Sequence, residues 1–130
     1  MIWRLSAAAA AGPGRTSIVA ADGRVVADAV RLTLDSAARR QGLLGLDALP
    51  ESAALVVVPT QGIHTFGMRF AIDVVFVDRG GRILRICPNV PPRRLRWALR
   101  AAAAVELSAG RADRAGLRVG QALSLVVSPA

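Results

Sequence analysis

Residues 60–87 read TQGIHTFGMRFAIDVVFVDRGGRILRIC. From Met68 to Val77 the side chains alternate as in a strand, with Ile72, Val74 and Phe76 on one face and Asp73, Val75 and Val77 on the other. Arg79-Gly80-Gly81 then supplies a turn, and RILRIC (82–87) returns as the antiparallel partner. In this pattern Cys87, Arg85 and Ile83 share one face. Before the hairpin, Gly62, His64, Thr65 and Gly67 interrupt any strand over Thr60 to Gly67.

The strand signal extends both ways. TSIVA (16–20), Asp22-Gly23 and RVVA (24–27) read as a hairpin, because Asp-Gly accepts the positive φ of a two-residue turn. AVRLTL (29–34) alternates as a half-buried strand. Asp35 or Ser36 then caps a short helix, SAARRQGLLG (36–45), with Arg39 and Arg40 on its solvated face. AALVVVP (53–59) is apolar throughout, predicting a strand buried on both faces at the centre of a sheet.

Pro88, Pro91 and Pro92 predict a rigid excursion over 88–92, and RRLRWALR (93–100) is a helical turn or an irregular edge strand. AAAVEL (102–107) is a further strand, and Ser108 is the expected cap of a second short helix, AGRADRAG. The turn Leu117-Arg118-Val119-Gly120 leads into a closing strand, QALSLVV (121–127). These elements predict a mainly-β domain (α+β by strict count), a small β-sandwich or partly open barrel with two short helices. Too few helices lie between strands for a doubly wound sheet.

The 130 residues suffice for one hydrophobic core, expected over 15–130, with 1–14 as a flexible extension ending at Gly12-Pro13-Gly14. Hydrophobic residues make up 53% of the chain and aromatics only 4%, so Val, Leu, Ile and Ala must fill that core. All 17 basic residues are arginine and the net charge is +8, which draws anionic partners at low salt. With one His and one Cys, no metal site or cofactor is expected. No apolar run reaches the roughly 18 residues of a membrane span. The opening MIWRLSAAAAAGPG makes a weak export signal, so a cytoplasmic location is the expectation.

RRQGLLG (39–45), HTFGMRFAIDVVFVDRGGRI (64–83) and VELSAGRADRAGLRVGQAL (105–123) together resemble the DUF192 family over residues 28–127. Phe66, Met68, Arg69 and Ile72-Asp73 fit its middle motif, Asp78 and Gly81-Arg82 fit the following turn, and His64 has counterparts in some members. Ala71 stands where the family usually has proline, and Leu44 where its glycine-leucine-methionine segment has methionine. The resemblance implies a small, mostly-β bacterial or archaeal protein with no assigned activity. Many such relatives carry export or lipid-anchor segments, which keeps a periplasmic location open.

Asp73 is the buried acid the strand pattern picks out. It requires partners, either backbone N–H groups or Arg69, or it faces a ligand. His64 has the ordinary pKa of a general base and would pair with Asp73 in a hydrolase, with Thr65, Ser52 or Cys87 as nucleophile. Arg85 would lower the Cys87 pKa if both are exposed. Phe66, Met68 and Phe70 would share a face of an extended segment and could wall an apolar pocket, with Arg69 at its rim.

The expected site is therefore His64, Phe66, Met68, Arg69 and Asp73, in a non-catalytic module that binds a small anionic or amphipathic molecule. The alternative partner is nucleic acid, held weakly by Arg93, Arg94, Arg96 and Arg100 with Trp97 stacking on a base.

Overall fold

The computed structural model describes Trp3, residues 14–33 and residues 47–128. Its elements are β1 (Arg15–Ala20), β2 (Val25–Ala27), β3 (Ala29–Thr33), β4 (Ala53–Val57), β5 (Gly62–His64), β6 (Ile72–Val77), β7 (Ile83–Val90), β8 (Leu95–Trp97), β9 (Ala103–Ser108), α1 (Arg111–Arg114) and β10 (Leu123–Ser128). They form a three-stranded sheet ordered β10-β1-β2, a five-stranded sheet ordered β3-β4-β9-β6-β7, and a ribbon of β5 and β8. β3 and β4 pair in parallel, whereas the other strand pairs are antiparallel. The fold is mainly β and sandwich-like, with no closed barrel among the described residues.

The five-stranded sheet is the middle of three layers. One face carries Ala54, Val56, Val75, Val77, Ala103, Val105 and Leu107, which pack against Ile18, Ala20, Val26, Leu123 and Leu125 of the three-stranded sheet. The other carries Leu55, Val57, Ile72, Val74, Phe76, Cys87 and Ala104, covered by Ile63, Met68 and Ala101. Covering both faces explains why β4 reads as an unbroken apolar run and β6 as one broken only by Asp73: a strand with no wet face needs no polar alternation. Both occupy interior positions, but the centre of the sheet is β9. Its alanines suit that place, since small side chains let two covering layers approach closely.

Several local expectations change. β7 continues through Pro88 to Val90 instead of ending in an excursion, because a register shift opposite Asp73 accommodates the residue that cannot donate. A second shift between Phe76 and Val77 puts Ile83 on the face opposite Arg85 and Cys87. Thr60–Gly67 does contain a short strand, and residues 93–100 supply its partner as an edge strand. One helix, α1, lies among the described residues, and Ser108 does not cap it: its N-cap is Gly110, without a side-chain bond of its own. The helix expected over 36–45 lies outside the described residues.

Of residues 1–14, Trp3 and Gly14 are described, and the remainder of the expected extension lies outside the described set. Trp3 is fully buried in the larger core, and its indole N–H donates to the Leu123 carbonyl at 2.9 Å. Gly81 makes room for it. A Cβ there would come within 2.0 Å of the indole nitrogen, and φ is +85°.

Candidate functional site

Two buried side chains set the geometry around the candidate residues. Asp73 is wholly buried on the face of β6 that looks toward α1. Its Oδ1 accepts the N–H groups of Asn89 at 2.9 Å and Gly110 at 3.0 Å, and its Oδ2 accepts that of Ala112 at 2.9 Å. One carboxylate thus satisfies the β7 bulge and the first turn of a helix distant in sequence, which offsets the cost of burying it. It makes no hydrogen bond with His64 or Arg69.

Thr65 is the second. Its hydroxyl donates to Pro91 O at 2.7 Å and accepts Arg94 N–H at 2.9 Å, while its own N–H donates to Arg94 O at 2.9 Å. Arg93 N–H reaches Thr65 O at 3.2 Å, with Arg93 held at φ 66°. These bonds leave the hydroxyl no freedom to act as a nucleophile. They also bring together two stretches that look independent in sequence, the loop after His64 and the arginine-rich segment.

From that junction β5 and β8 pair as Gly62 with Trp97, Ile63 with Arg96, and His64 with Leu95. Ile63 turns inward onto the second core, so alternation puts His64, Leu95 and Trp97 on the outer face. Glycine opposite Trp97 leaves the indole without a cross-strand side chain. Trp97 is 59% exposed, Leu95 56%, Phe66 50% and Leu99 81%. The Phe66 ring lies 5.6 Å from that of His64, whose Nδ1 accepts the Phe66 N–H at 3.3 Å. Gly62, Ile63, His64, Leu95, Arg96 and Trp97 line an open cavity of about 320 Å³. Arg85, from the second-core face of β7, ties the ribbon down by donating to Trp97 O at 2.7 Å.

The remaining sequence candidates disperse. Met68 is buried in the core beneath the ribbon, and Phe70 is half-buried against it. Phe66, Met68 and Phe70 do not share a face, because Gly67 turns the chain at φ 84° between the first two. Arg69 is exposed and approaches Asp47 at 3.6 Å. Cys87 is buried, and burial pushes its thiol up against the opposing pull of Arg85 and Arg96. His64 and Phe66 therefore stay together, joined by Leu95, Arg96 and Trp97.

The electrostatics around the ribbon are one-sided. Between Asp78 and Glu106 the chain has seven arginines (Arg79, Arg82, Arg85, Arg93, Arg94, Arg96 and Arg100) and no acid. None of the seven is in an ion pair among the described residues, where the arginine–carboxylate pairs are made by Arg24, Arg69, Arg111 and Arg114. Glu106 in β9 is fully buried, a second buried acid beyond those the sequence pattern picks out. The alternation of Ala104, Glu106 and Ser108 on one face was the available signal.

A three-layered β-sandwich carrying an exposed, basic, aromatic ribbon is the class of protein these features define. The chain belongs to the DUF192 family, described as an uncharacterized ACR, whose pattern matches residues 17–125. Among solved structures it is similar to a Sinorhizobium meliloti protein whose assignment as a transcription regulator is itself provisional, at 24% identity and a TM-score of 0.72, covering 85% of this chain and 92% of that one. It is likewise similar to a Novosphingobium aromaticivorans protein of unknown function, at 20% identity and a TM-score of 0.71, covering 85% and 83%. These likenesses concern the fold. Comparison with curated proteins finds no match. No described helix is long and apolar enough to cross a membrane.

Proposed function

We propose that this protein is a non-catalytic binding module whose ligand lies on the outer face of the β5–β8 ribbon. The observation that carries this reading is the grouping of Phe66, Leu95, Trp97 and Leu99, all at least half exposed, on or beside one two-stranded element. Single exposed apolar side chains are ordinary, whereas a cluster beside a cavity is a binding surface in waiting. The surrounding arginines select an anionic group, and the indole selects a flat apolar body. A cavity of about 320 Å³ suits a small molecule.

The dye 1-anilinonaphthalene-8-sulfonate has both features and serves as the probe. It should bind the native protein saturably, quench Trp97, and bind at least about tenfold more weakly to Trp97→Ala, a loss of about 1.4 kcal/mol. Undiminished binding to a folded Trp97→Ala/Phe66→Ala variant would defeat the proposal.

Nucleic acid is the second reading, favoured by Arg93, Arg94, Arg96 and Arg100 flanking Trp97 without an intervening acid. A single strand would stack one base on the indole while phosphates meet the arginines. Affinity for a short oligothymidine should fall steeply with salt and drop when Arg93, Arg94 and Arg96 become Gln. Insensitivity to both would remove this reading.

A further inference from the structure

A second cavity, of about 400 Å³, lies beyond the ribbon and is lined by Pro59, Thr60, Gln61, Arg79, Arg100, Ala101 and Ala102. We infer that it is a phosphate-binding cleft in which Arg79 and Arg100 together hold the anion. Among the described residues neither guanidinium has a hydrogen-bond or ion-pair partner, unlike Arg82, Arg85, Arg94 and Arg96, which donate to backbone carbonyls. The lining contains no carboxylate to neutralise them. Arg79 and Arg100 both line the cleft, and a phosphate dianion between two guanidiniums offsets their like charge with paired charge-assisted bonds.

The frame around the cleft is built from fixed backbone. Thr60 N–H donates to Ala102 O at 3.0 Å, and Ala102 N–H to Val77 O at 2.8 Å. Gln61 Nε2 donates to Leu99 O at 2.5 Å, and Arg79 O accepts the Trp3 N–H at 2.6 Å. Ala101 and Ala102 keep the wall low, so an anion can approach both arginines. Planar guanidinium forks suit phosphate oxygens better than a point charge does. The group held is a phosphate, either of a small phosphorylated molecule or of a nucleic-acid backbone.

The test follows the Nε–Hε resonances of Arg79 and Arg100 in the full chain at 150 mM salt. Inorganic phosphate, phenyl phosphate and an oligothymidine are titrated in turn. Saturable shifts confined to these two arginines are expected, with affinity falling at least about tenfold in Arg79→Gln and in Arg100→Gln. Both side chains are exposed and have no partner among the described residues, so the variants should keep the native circular dichroism. Arg31→Gln, on β3, should bind as the parent does.

Phosphate and phenyl phosphate binding as tightly as the oligonucleotide identifies a small phospho-ligand. Much tighter oligonucleotide binding that also needs Arg93 and Arg94 identifies a backbone phosphate. Linear, unsaturated shifts, or equal weakening by Arg31→Gln, mean an adventitious ion only and overturn the inference. Inorganic phosphate has no apolar body, so this outcome is independent of Trp97 and of the ribbon's own ligand.

Discussion

Thr65 and Arg94, 29 residues apart, each donate a backbone N–H to the other: Arg94 to the Thr65 hydroxyl and Thr65 to the Arg94 carbonyl, both at 2.9 Å. Through this exchange the glycine-broken loop and the arginine-rich segment become one ribbon, and the proposed binding surface lies where they meet.

Thr65→Val should therefore cost stability and shape together. It keeps the volume but leaves the Arg94 N–H and Pro91 carbonyl without their partner, an effect of about 1–3 kcal/mol. Urea unfolding should show that loss, with Thr65→Ser milder. Amide exchange should quicken at Arg94 before it does in β9. Parent-like protection of Arg94 in Thr65→Val would show that the hydroxyl does not hold the ribbon.

Asp73→Ala should be the more damaging change. Three backbone donors on β7, Gly110 and α1 lose one acceptor, and a fully buried site has no water to replace it; the cost is about 3–5 kcal/mol. Faster exchange at Asn89, Gly110 and Ala112 should accompany it. A loss below about 1 kcal/mol would mean those donors find other partners.

The two tryptophans should separate spectroscopically. Trp3 is sealed and hydrogen-bonded, while Trp97 is largely open. Trp97→Phe should remove the red-shifted emission that acrylamide quenches and change stability by no more than about 0.5 kcal/mol. Trp3→Ala should cost about 3–5 kcal/mol through the cavity it leaves. Equal quenching of the two residues would contradict the burial of Trp3.

Alkaline stability should report on Cys87. Burial raises its folded-state pKa above the ordinary thiol value. The unfolded chain then releases the proton at lower pH, binds fewer protons in alkali, and gains on the native state. This contribution is intact below the ordinary thiol range and fades as pH rises through it toward the folded value. The chain has no tyrosine or lysine to blur that window. Cys87→Ala should flatten the alkaline limb of a denaturation series; an unchanged limb would assign it to another group.

The main hairpin, the β1–β2 turn and the double burial of β4 were legible because each is written in a short window: a period of two, an Asp-Gly step, an unbroken apolar run. The apposition of β5 with β8 was not legible, since three-residue strands carry almost no periodic signal and their pairing is set by the distant bonds of Thr65. The alternation showed Asp73 to be buried and named backbone N–H groups among its candidate partners, but it could not reveal that those donors come from β7 and α1. Trp3 was hidden by its alanine-rich surroundings, although a lone large aromatic in such a segment is itself a hint. Glu106 follows the alternation of β9, but one acid among alanines carries no local sign that its face is covered.

The place of β9 has a consequence for synthesis. β4 and β6 are made early, yet they do not pair with each other; each pairs with β9, which arrives later in the chain. Until it emerges from the ribosome, two apolar strands wait with open edges, the condition that invites pairing with a neighbouring nascent chain. The alanine-rich strand is thus the keystone of the five-stranded sheet and the last of its strands to be made. A stop codon just ahead of it should yield insoluble fragments, which a sedimentation assay of the translated products would show.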